Sequence, residues 1–163
     1  MITTNTNEKI SSGSNEFLTF QLGSEGFCLG ILNVQEIRGY DAITAITNTP
    51  DYIKGVVNLR GKIVPIYDLR IKLNFEKVAY DDLTVVIILN LEGHDLGIVV
   101  DSVSDVIVLN EGQISDLPSL VSTVNTAFIK GVATIDDQML VLLDIEKLVS
   151  KEELEATNAG LLH

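Results

Sequence analysis

The chain has 163 residues, of which 46% are hydrophobic, and a formal net charge of −12 at pH 7. Its hydrophobic content excludes disorder of the whole chain, and its length fits one domain or two small halves that share a core. The acidic charge argues against binding to nucleic acids or acidic membranes, because such binding depends on clustered Lys and Arg. We interpret the charge mainly as a source of solubility, and a basic surface on a partner is the alternative.

The first 15 residues are rich in Thr, Asn, Ser and Gly and lack hydrophobic periodicity, so we expect a disordered tail over 1–15. The chain does not open with a basic segment followed by an apolar one, which argues against a signal peptide. The strongest apolar runs, such as 85–89, are too short to span a bilayer. The sequence therefore predicts a cytoplasmic protein.

Two strand–turn–strand patterns follow, one in each half of the chain. Apolar and polar residues alternate over 18–22, and a turn at 23–26 precedes a second apolar run. The second half repeats this order with an apolar run at 85–90 and a turn at 92–93. The single cysteine, Cys28, lies in the first pattern, where we expect a buried and chemically inert thiol.

A longer repeat closes each half. Residues 52–57 read Tyr-Ile-Lys-Gly-Val-Val, and 128–133 read Phe-Ile-Lys-Gly-Val-Ala; the same spacing relates Asp68 to Asp144. In each copy two apolar runs flank a turn, which predicts a hairpin. Because Pro65 cannot donate to a ladder, its strand should run along an edge or carry a bulge. The repeat predicts two similar units of about five short strands, typical of small closed barrels.

The C-terminal stretch has helical features. Ile145, Leu148 and Val149 have helical spacing, and Ser150 with Glu153 forms a capping-box signature, so we expect a short helix packed on the barrels. The predicted limits are one domain over 16–149, a first barrel over about 27–82, a second barrel over about 83–145 to which strand 16–22 contributes, and a C-terminal helix and tail over 150–163.

The sequence offers few tools for catalysis. It has only His94 and His163, and it lacks a nucleophile motif and a phosphate-binding loop, so we expect no enzymatic activity, cofactor or metal. The enzyme alternative is a proton-sharing pair formed by Asp68 and Asp144, as in aspartic proteases. Bulky aliphatic residues follow both aspartates, which favours the interpretation that each one caps the next turn or helix.

The two copies differ at their turns. Arg60 and Lys62 in the first hairpin become Asp136 and Gln138 in the second. Folding does not require a basic turn, since only one copy has it, and function is then the better explanation. Arg60 suits a bidentate carboxylate partner, with Glu36 as one candidate, and a solvated turn is the alternative.

Two apolar motifs occupy equivalent places in the two halves. They are Val34-x-x-Ile37 and Val103-x-x-Val106, and each follows a predicted hairpin. Core packing is the simpler explanation for these residues. A groove where the two barrels meet, edged by an arginine, would instead suit an amphipathic helix.

Three segments resemble the CheW family of chemotaxis coupling proteins: 34–40, 50–70 and 97–106. The resemblance implies an all-β fold with short helices, in which two SH3-like five-stranded β-barrel subdomains share a core. It also implies a cytoplasmic, non-enzymatic adaptor, peripheral at receptor arrays. Such an adaptor bridges the cytoplasmic hairpin tips of chemoreceptors to the regulatory domain of the histidine kinase CheA, and self-association in rings is a further expectation. A structural double barrel with another protein client is the alternative.

The resemblance also assigns the binding residues. The receptor-binding groove falls on Val34, Ile37, Val103 and Val106, together with the pair of Glu36 and Arg60. The kinase contacts fall at the ends of the barrels, on Ile43, Ile46 and Leu120.

Overall fold

The computed structural model describes residues 15–41, 43–76, 78–116 and 128–148. Short strands dominate these ranges. The strands are β1 (Glu16–Leu22), β2 (Glu25–Gly30), β3 (Val34–Gly39), β4 (Ile53–Leu59), β5 (Lys62–Asp68), β6 (Val85–Leu91), β7 (His94–Val100), β8 (Ser102–Val108), β9 (Ile114–Ser115), β10 (Ile129–Ile135) and β11 (Gln138–Leu143). The helices are α1 (Leu69–Lys72) and α2 (Ile145–Leu148), and 3-10 turns cover Ile31–Asn33 and Glu111–Gln113.

The strands form two mixed sheets of matching design. The first sheet has the order β3-β6-β7-β5-β4, and the second has the order β8-β1-β2-β11-β10-β9. Neighbouring strands are antiparallel except for β5 with β7 and β11 with β2. Each sheet thus contains one parallel pair at the equivalent place. The prediction of an all-β fold with short helices, built from two similar units, is confirmed.

The sheets divide the chain differently from the predicted barrel limits of 27–82 and 83–145. The hairpin of β6 and β7 (85–100) joins the first sheet, whereas β2 (25–30) joins the second together with β1. Each half of the chain therefore lends its first hairpin to the other half. Local patterns locate the strands, but they do not encode which distant strand completes the ladder.

The strand that contains Pro65 is also placed differently. β5 lies inside the first sheet rather than at its edge, and the irregular pairing with β4 lies between Ile53 and Gly55. Pairing of β5 with β7 begins only at Ile66. Pro65 therefore lies just before the part of β5 that pairs with β7. At this position the ladder with β7 does not need the N–H that proline lacks.

Three hydrophobic clusters hold the sheets together. The shared core lies between the sheets and takes residues from both, including Phe20 and Leu29 from the second sheet and Ile87 and Ile98 from the first. Each barrel also has a core of its own. The first-barrel core contains Val57, Leu59, Val64, Ile66, Val86, Ile88 and Val99, and the second-barrel core contains Phe17, Cys28, Leu109, Ala133, Leu140 and Leu142. Cys28 is fully buried, as predicted, and burial raises the pKa of its thiol to about 12.

Close backbone contact explains the glycine of the repeated Lys-Gly pair. A Cβ atom on Gly55 would lie 2.1 Å from the carbonyl oxygen of Thr44, and one on Gly131 would lie 2.8 Å from that of Ser115. Thr44 and Ser115 each pair with the strand of the respective glycine. Only glycine leaves room for this crossing strand, so the repeated glycine serves barrel architecture.

The C-terminal prediction is tested only in part. Residues Ile145–Leu148 form the short helix α2, whereas the capping box at 150–153, the tail over 150–163 and the N-terminal residues 1–14 lie outside the described residues. None of the helices in the described ranges combines the length and the hydropathy of a membrane span.

Candidate protein-binding site

A bulge in β3 sets the direction of the first apolar motif. Val34 lies opposite Leu89 and Glu36 lies opposite Ile88, so two steps along β3 match one step along β6. The extra residue is Gln35, which reverses the usual alternation of side chains along the strand. Val34 and Glu36 therefore point to opposite faces although they are only two residues apart.

The same bulge places Val34 and Ile37 on one face. Ile37 lies opposite Ile87, and both Ile87 and Leu89 belong to the shared core. Ile88, by contrast, belongs to the first-barrel core. Since residues paired across a ladder share a face, Val34 and Ile37 face the shared core.

A second bulge does the same for β8. Val103 lies opposite Phe20 and Val106 lies opposite Leu18, so three steps along β8 match two along β1. Phe20 and Leu18 are both residues of the shared core. The spacing of three in both apolar motifs, which would put the residues on opposite faces of a regular strand, here puts them on the same face.

The bulge of β8 is fixed by a side chain from the neighbouring strand. The hydroxyl of Thr19 accepts a hydrogen bond from the backbone N–H of Asp105 at 2.9 Å and donates one to the carbonyl oxygen of the same residue at 3.2 Å. Thr19 thereby satisfies backbone groups that the interrupted ladder leaves unpaired.

The two motifs lie at margins of the same core. β3 and β8 are edge strands of the first and second sheet, respectively. Val34 and Val103 are half-buried and pack on the shared core, whereas 44% of Ile37 and 53% of Val106 remain exposed. Each edge strand thus presents one anchored and one exposed aliphatic side chain, which is the pattern that an apolar docking groove needs.

The predicted pair of Arg60 and Glu36 is present as an ion pair. Arg60 Nη2 lies 3.1 Å from Glu36 Oε1, and Arg38 Nη1 lies 3.4 Å from Glu36 Oε2. Arg60 is the first residue of the two-residue turn between β4 and β5, and its φ of 52° is left-handed, as is that of Gly61 at 87°. Such a turn matches the twist of the hairpin and projects the Arg60 side chain toward β3.

A buried carboxylate lies beside the same turn. Asp95 accepts hydrogen bonds from Lys62 Nζ at 2.8 Å, from Asn90 Nδ2 at 2.7 Å and from Gln35 Nε2 at 2.7 Å. Burial acts to raise the pKa of Asp95, but the bonds from Lys62, Asn90 and Gln35 outweigh it and hold the pKa below its usual value. Two successive residues of β3 are thus connected to the hairpin of β4 and β5. Gln35 is connected through Asp95 to Lys62, and Glu36 is paired directly with Arg60.

The equivalent place in the second barrel is an open cleft of about 740 Å³. Its lining includes Ser104 and Asp105 from β8, and Asp136 and Gln138 from the β10–β11 hairpin. By the repeat, these residues correspond to the Gln35, Glu36, Arg60 and Lys62 of the first barrel. Two carboxylates replace the ion pair, so the two barrels share an architecture but differ in charge at this end.

A buried arginine joins the two sheets. Arg70 in α1 donates to Asp68 from Nε to Oδ1 at 3.0 Å and from Nη2 to Oδ2 at 2.9 Å. It also donates from Nη1 to Asp101 Oδ1 at 2.6 Å, and Asp101 Oδ2 accepts the backbone N–H of Gly23. Burial acts to lower the pKa of Arg70, but the two carboxylates raise it above its usual value. The network ties the end of β5 to the start of β8.

Asp68 has a structural role in this network. Its two oxygens accept hydrogen bonds from Arg70, and the hydroxyl of Tyr80 donates to Oδ2. Asp68 also accepts the backbone N–H of Arg70 and so caps α1, as the capping interpretation predicts. Asp68 ends a strand of the first sheet, whereas Asp144 follows a strand of the second. A carboxylate held by a guanidinium does not resemble one that shares a proton with a second carboxylate.

Two of the expected kinase contacts, Ile43 and Ile46, lie in the loop that follows the edge strand β3. Ile43 is half-buried against the first-barrel core, and Ile46 is half-buried against the shared core. Thr44 between them pairs with Val56 and holds the loop on β4. Leu120 lies outside the described residues.

Sequence reasoning misses Gln35 and Asp95 as members of the site. Gln35 cannot be recognised from the sequence, because regular alternation would place its side chain on the face of the strand opposite to that of Glu36. Asp95 carries no local signal, since a polar residue directly before the apolar Leu96 is the ordinary alternation of a half-buried strand. The identity of its partners depends on which strands the fold brings together.

Comparisons with known proteins agree on one family. Residues 16–153 match the CheW-like domain family. A chemotaxis protein CheW from Klebsiella aerogenes is 54% identical over 139 residues, which cover 85% of this chain and 84% of that protein. A probable chemotaxis protein CheW from Rhizobium etli is 34% identical over 149 residues, which cover 91% of this chain and 96% of that protein.

A solved structure shares the fold. The scaffolding protein TtCheW from Thermoanaerobacter tengcongensis superposes with a TM-score of 0.78 at 34% identity, covering 86% of this chain and 95% of that one. The family match spans both sheets, the two bulged edge strands and the turn with Arg60. With its fold and most of its sequence matched, the chain belongs to the CheW family of chemotaxis proteins.

Proposed function

We propose that the chain is a non-enzymatic adaptor that couples chemoreceptors to the histidine kinase CheA. The receptor is bound by the four aliphatic residues of the bulged edge strands and by the ion pair beside them, namely Val34, Ile37, Val103, Val106, Glu36 and Arg60. The regulatory domain of CheA is bound at the ends of the barrels, by Ile43, Ile46 and Leu120. The adaptor works in the cytoplasm at receptor arrays, where it also associates with itself in rings.

The placement of the two aliphatic pairs carries this proposal. Bulges in β3 and β8 turn Val34, Ile37, Val103 and Val106 toward the same shared core, although their spacing does not suit a regular strand. Core packing alone would bury all four, but Ile37 and Val106 stay exposed by 44% and 53%. An amphipathic helix of a receptor hairpin could cover these side chains, because helical ligands dock their apolar face in such grooves.

The ion pair adds a polar margin to this surface. The side chain of Arg60 is 70% exposed while that of Glu36 is 28% exposed. The ion pair with Glu36 therefore orients the Arg60 side chain, while other N–H donors of the guanidinium stay available to a partner. An exposed ion pair of this kind contributes more to the specificity of binding than to the stability of the fold.

Co-sedimentation with receptor and CheA tests the proposal. We expect Val34→Asp and Arg60→Glu to fold but to lose receptor binding, since the first puts a charge on the apolar margin and the second opposes Glu36 with a like charge. Matched controls are Met139→Asp, at an exposed apolar residue of the second hairpin, and Asp136→Lys, at the equivalent turn. Undiminished receptor binding by both site variants would refute the site.

The same assay separates the adaptor from a structural double barrel with another client. If the chain is an adaptor, CheA sediments with the receptor when the chain is added and stays in the supernatant when the chain is left out. If the wild-type chain recruits no CheA and binds no receptor fragment, another client is the better explanation.

A further inference from the structure

Asp95 is the point where three strands of the first barrel meet through side chains. Its carboxylate binds Lys62 of β5, Asn90 of β6 and Gln35 of β3, and only 6% of its side chain is exposed. Asn33, just before β3, also donates to the carbonyl oxygen of Asn90 at 3.1 Å. Asp95, itself in β7, therefore links the edge strand β3 to β7 and β5, which do not pair with β3 in the sheet.

Asp95 makes two bonds outside the β6–β7 hairpin, to Gln35 and to Lys62, and both partners lie beside the proposed receptor site. Gln35 is the extra residue of the β3 bulge, so its position determines where Glu36 and Ile37 point. Lys62 directly follows the turn that contains Arg60. Asp95 thus holds the strand of Glu36 and the turn of Arg60 against each other from the inner side.

The second barrel shows that the barrel fold does not depend on this carboxylate. In the second sheet Cys28 pairs with Leu142, and in the first sheet Gly97 pairs with Ile66. Because the repeat relates Ile66 to Leu142, Cys28 is the counterpart of Gly97. Two residues before Cys28 stands Gly26, which is the counterpart of Asp95 and has no side chain to bind anything. The counterparts of Gln35 and Lys62 are Ser104 and Gln138, which are uncharged, and an open cleft lies between them.

The hairpin of the second barrel nevertheless forms with the same pairing. β10 and β11 join at a left-handed two-residue turn, as β4 and β5 do, and each pair carries an irregularity at its repeated glycine. A buried charge that one barrel has and its equivalent lacks is better explained by function than by folding. Its neighbours in space are the site residues of the first barrel.

We infer that Asp95 is a positioning residue of the receptor-binding site, which fixes the β3 bulge against the Arg60 turn and so sets the geometry of Glu36 and Arg60. This inference rests on the proposed function, because it concerns how the same site is held. Asp95 itself is covered, so it acts through Gln35 and Lys62 and does not touch the partner.

Binding measurements on Asp95→Asn test the inference. The variant keeps the size of the side chain but lacks the charge that orders Lys62. We expect its affinity for a chemoreceptor cytoplasmic fragment to fall about three- to tenfold, while its affinity for the CheA regulatory domain stays unchanged. A thermal melt verifies that the variant is folded. If Asp95→Asn does not fold, Gln35→Leu is the second variant, because it removes the hydrogen bond between the bulge and Asp95 at an exposed side chain. We expect the same loss of receptor affinity from it.

A double-mutant cycle with Arg60→Ala distinguishes positioning from general destabilisation. If Asp95 acts through the Arg60 turn, the losses of receptor affinity from Asp95→Asn and Arg60→Ala overlap, and the double variant binds about as well as Arg60→Ala alone. Additive losses, equal losses for receptor and kinase, or unchanged receptor affinity in Asp95→Asn would overturn the inference while the proposed function stands. A wild-type chain that binds no receptor fragment overturns both.

Discussion

At the scale of single residues, Arg60 illustrates a conflict between turn stability and binding. Its φ of 52° lies in the left-handed region, where a residue with a Cβ is disfavoured by roughly 1–2 kcal/mol. The counterpart turn uses Asp136 and Asp137, and aspartate tolerates this conformation better. Arg60 therefore occupies a position that turn chemistry would give to Asn, Asp or Gly, as Glu92 does in the turn between β6 and β7.

This conflict gives a prediction for Arg60→Asn. The substitution relieves the turn and removes an ion pair that, at an exposed side chain, contributes about 1 kcal/mol or less. We expect the free energy of unfolding to stay equal or to rise by about 0.5–1 kcal/mol, while the affinity for the receptor falls. Urea unfolding measures the first effect and co-sedimentation the second. A loss of stability of 2 kcal/mol or more would show that Arg60 is required for folding.

At the scale of secondary-structure elements, each bulge accommodates one extra residue in an edge strand and keeps the aliphatic pair of that strand on one face. Without its extra residue β3 would alternate regularly, and Val34 and Ile37 would still share a face because they would then be two positions apart. Gln35 can therefore be removed without a change of register, and the same holds for Ser104 in β8. What the bulges add is local twist and, in β3, the contact with Asp95.

Deletion variants test this interpretation. We expect deletion of Gln35 or of Ser104 to leave a folded protein that is less stable by about 1 kcal/mol, the contribution of roughly one hydrogen bond. Deletion of Ile87 in β6 is the contrasting variant, because a one-residue shift inside a regular strand exchanges its two faces and should prevent folding. Circular dichroism and urea unfolding distinguish these outcomes. Unfolding of the Gln35 deletion would contradict our account of the bulge.

The same elements show what the sequence predicts and what it leaves open. Alternation and the Ile-Lys-Gly-Val repeat locate the strands around residues 18–22, 52–57 and 128–133, and the difference between Arg60 and Asp136 points to the ion pair. The bulges remain hidden, because an extra residue is defined only against the partner strand. Gln35 and Asp95 join only when β3, β6 and β7 lie side by side, and that order depends on long-range pairing.

At the scale of the whole molecule, Arg70 connects the two barrels. It lies between Asp68 at the end of β5 and Asp101 between β7 and β8, and both Arg70 and Asp68 are fully buried. Asp101 in turn holds the backbone of Gly23 in the β1–β2 turn. The network therefore fixes the orientation of one edge strand of the proposed groove relative to the other barrel.

Loss of Arg70 should destabilise the entire fold. Arg70→Met leaves the buried Asp68 without its cation, and we expect the free energy of unfolding to fall by about 3–5 kcal/mol. Urea unfolding monitored by circular dichroism measures the change. The double variant Asp68→Asn with Arg70→Met removes the unpaired charge and should recover part of the loss. A single variant as stable as the wild type would show that the network is dispensable.

The exchange of hairpins between the halves has a consequence for the topology of the fold. β1 and β2 complete the sheet of the second half, and β6 and β7 complete that of the first. A polypeptide with only one copy of the repeat could complete its sheet only by lending its hairpin to a second molecule. The present chain thus has the topology of a domain-swapped dimer whose two subunits are joined end to end, and only one of the two halves carries Arg60 and Asp95 at this end of its barrel.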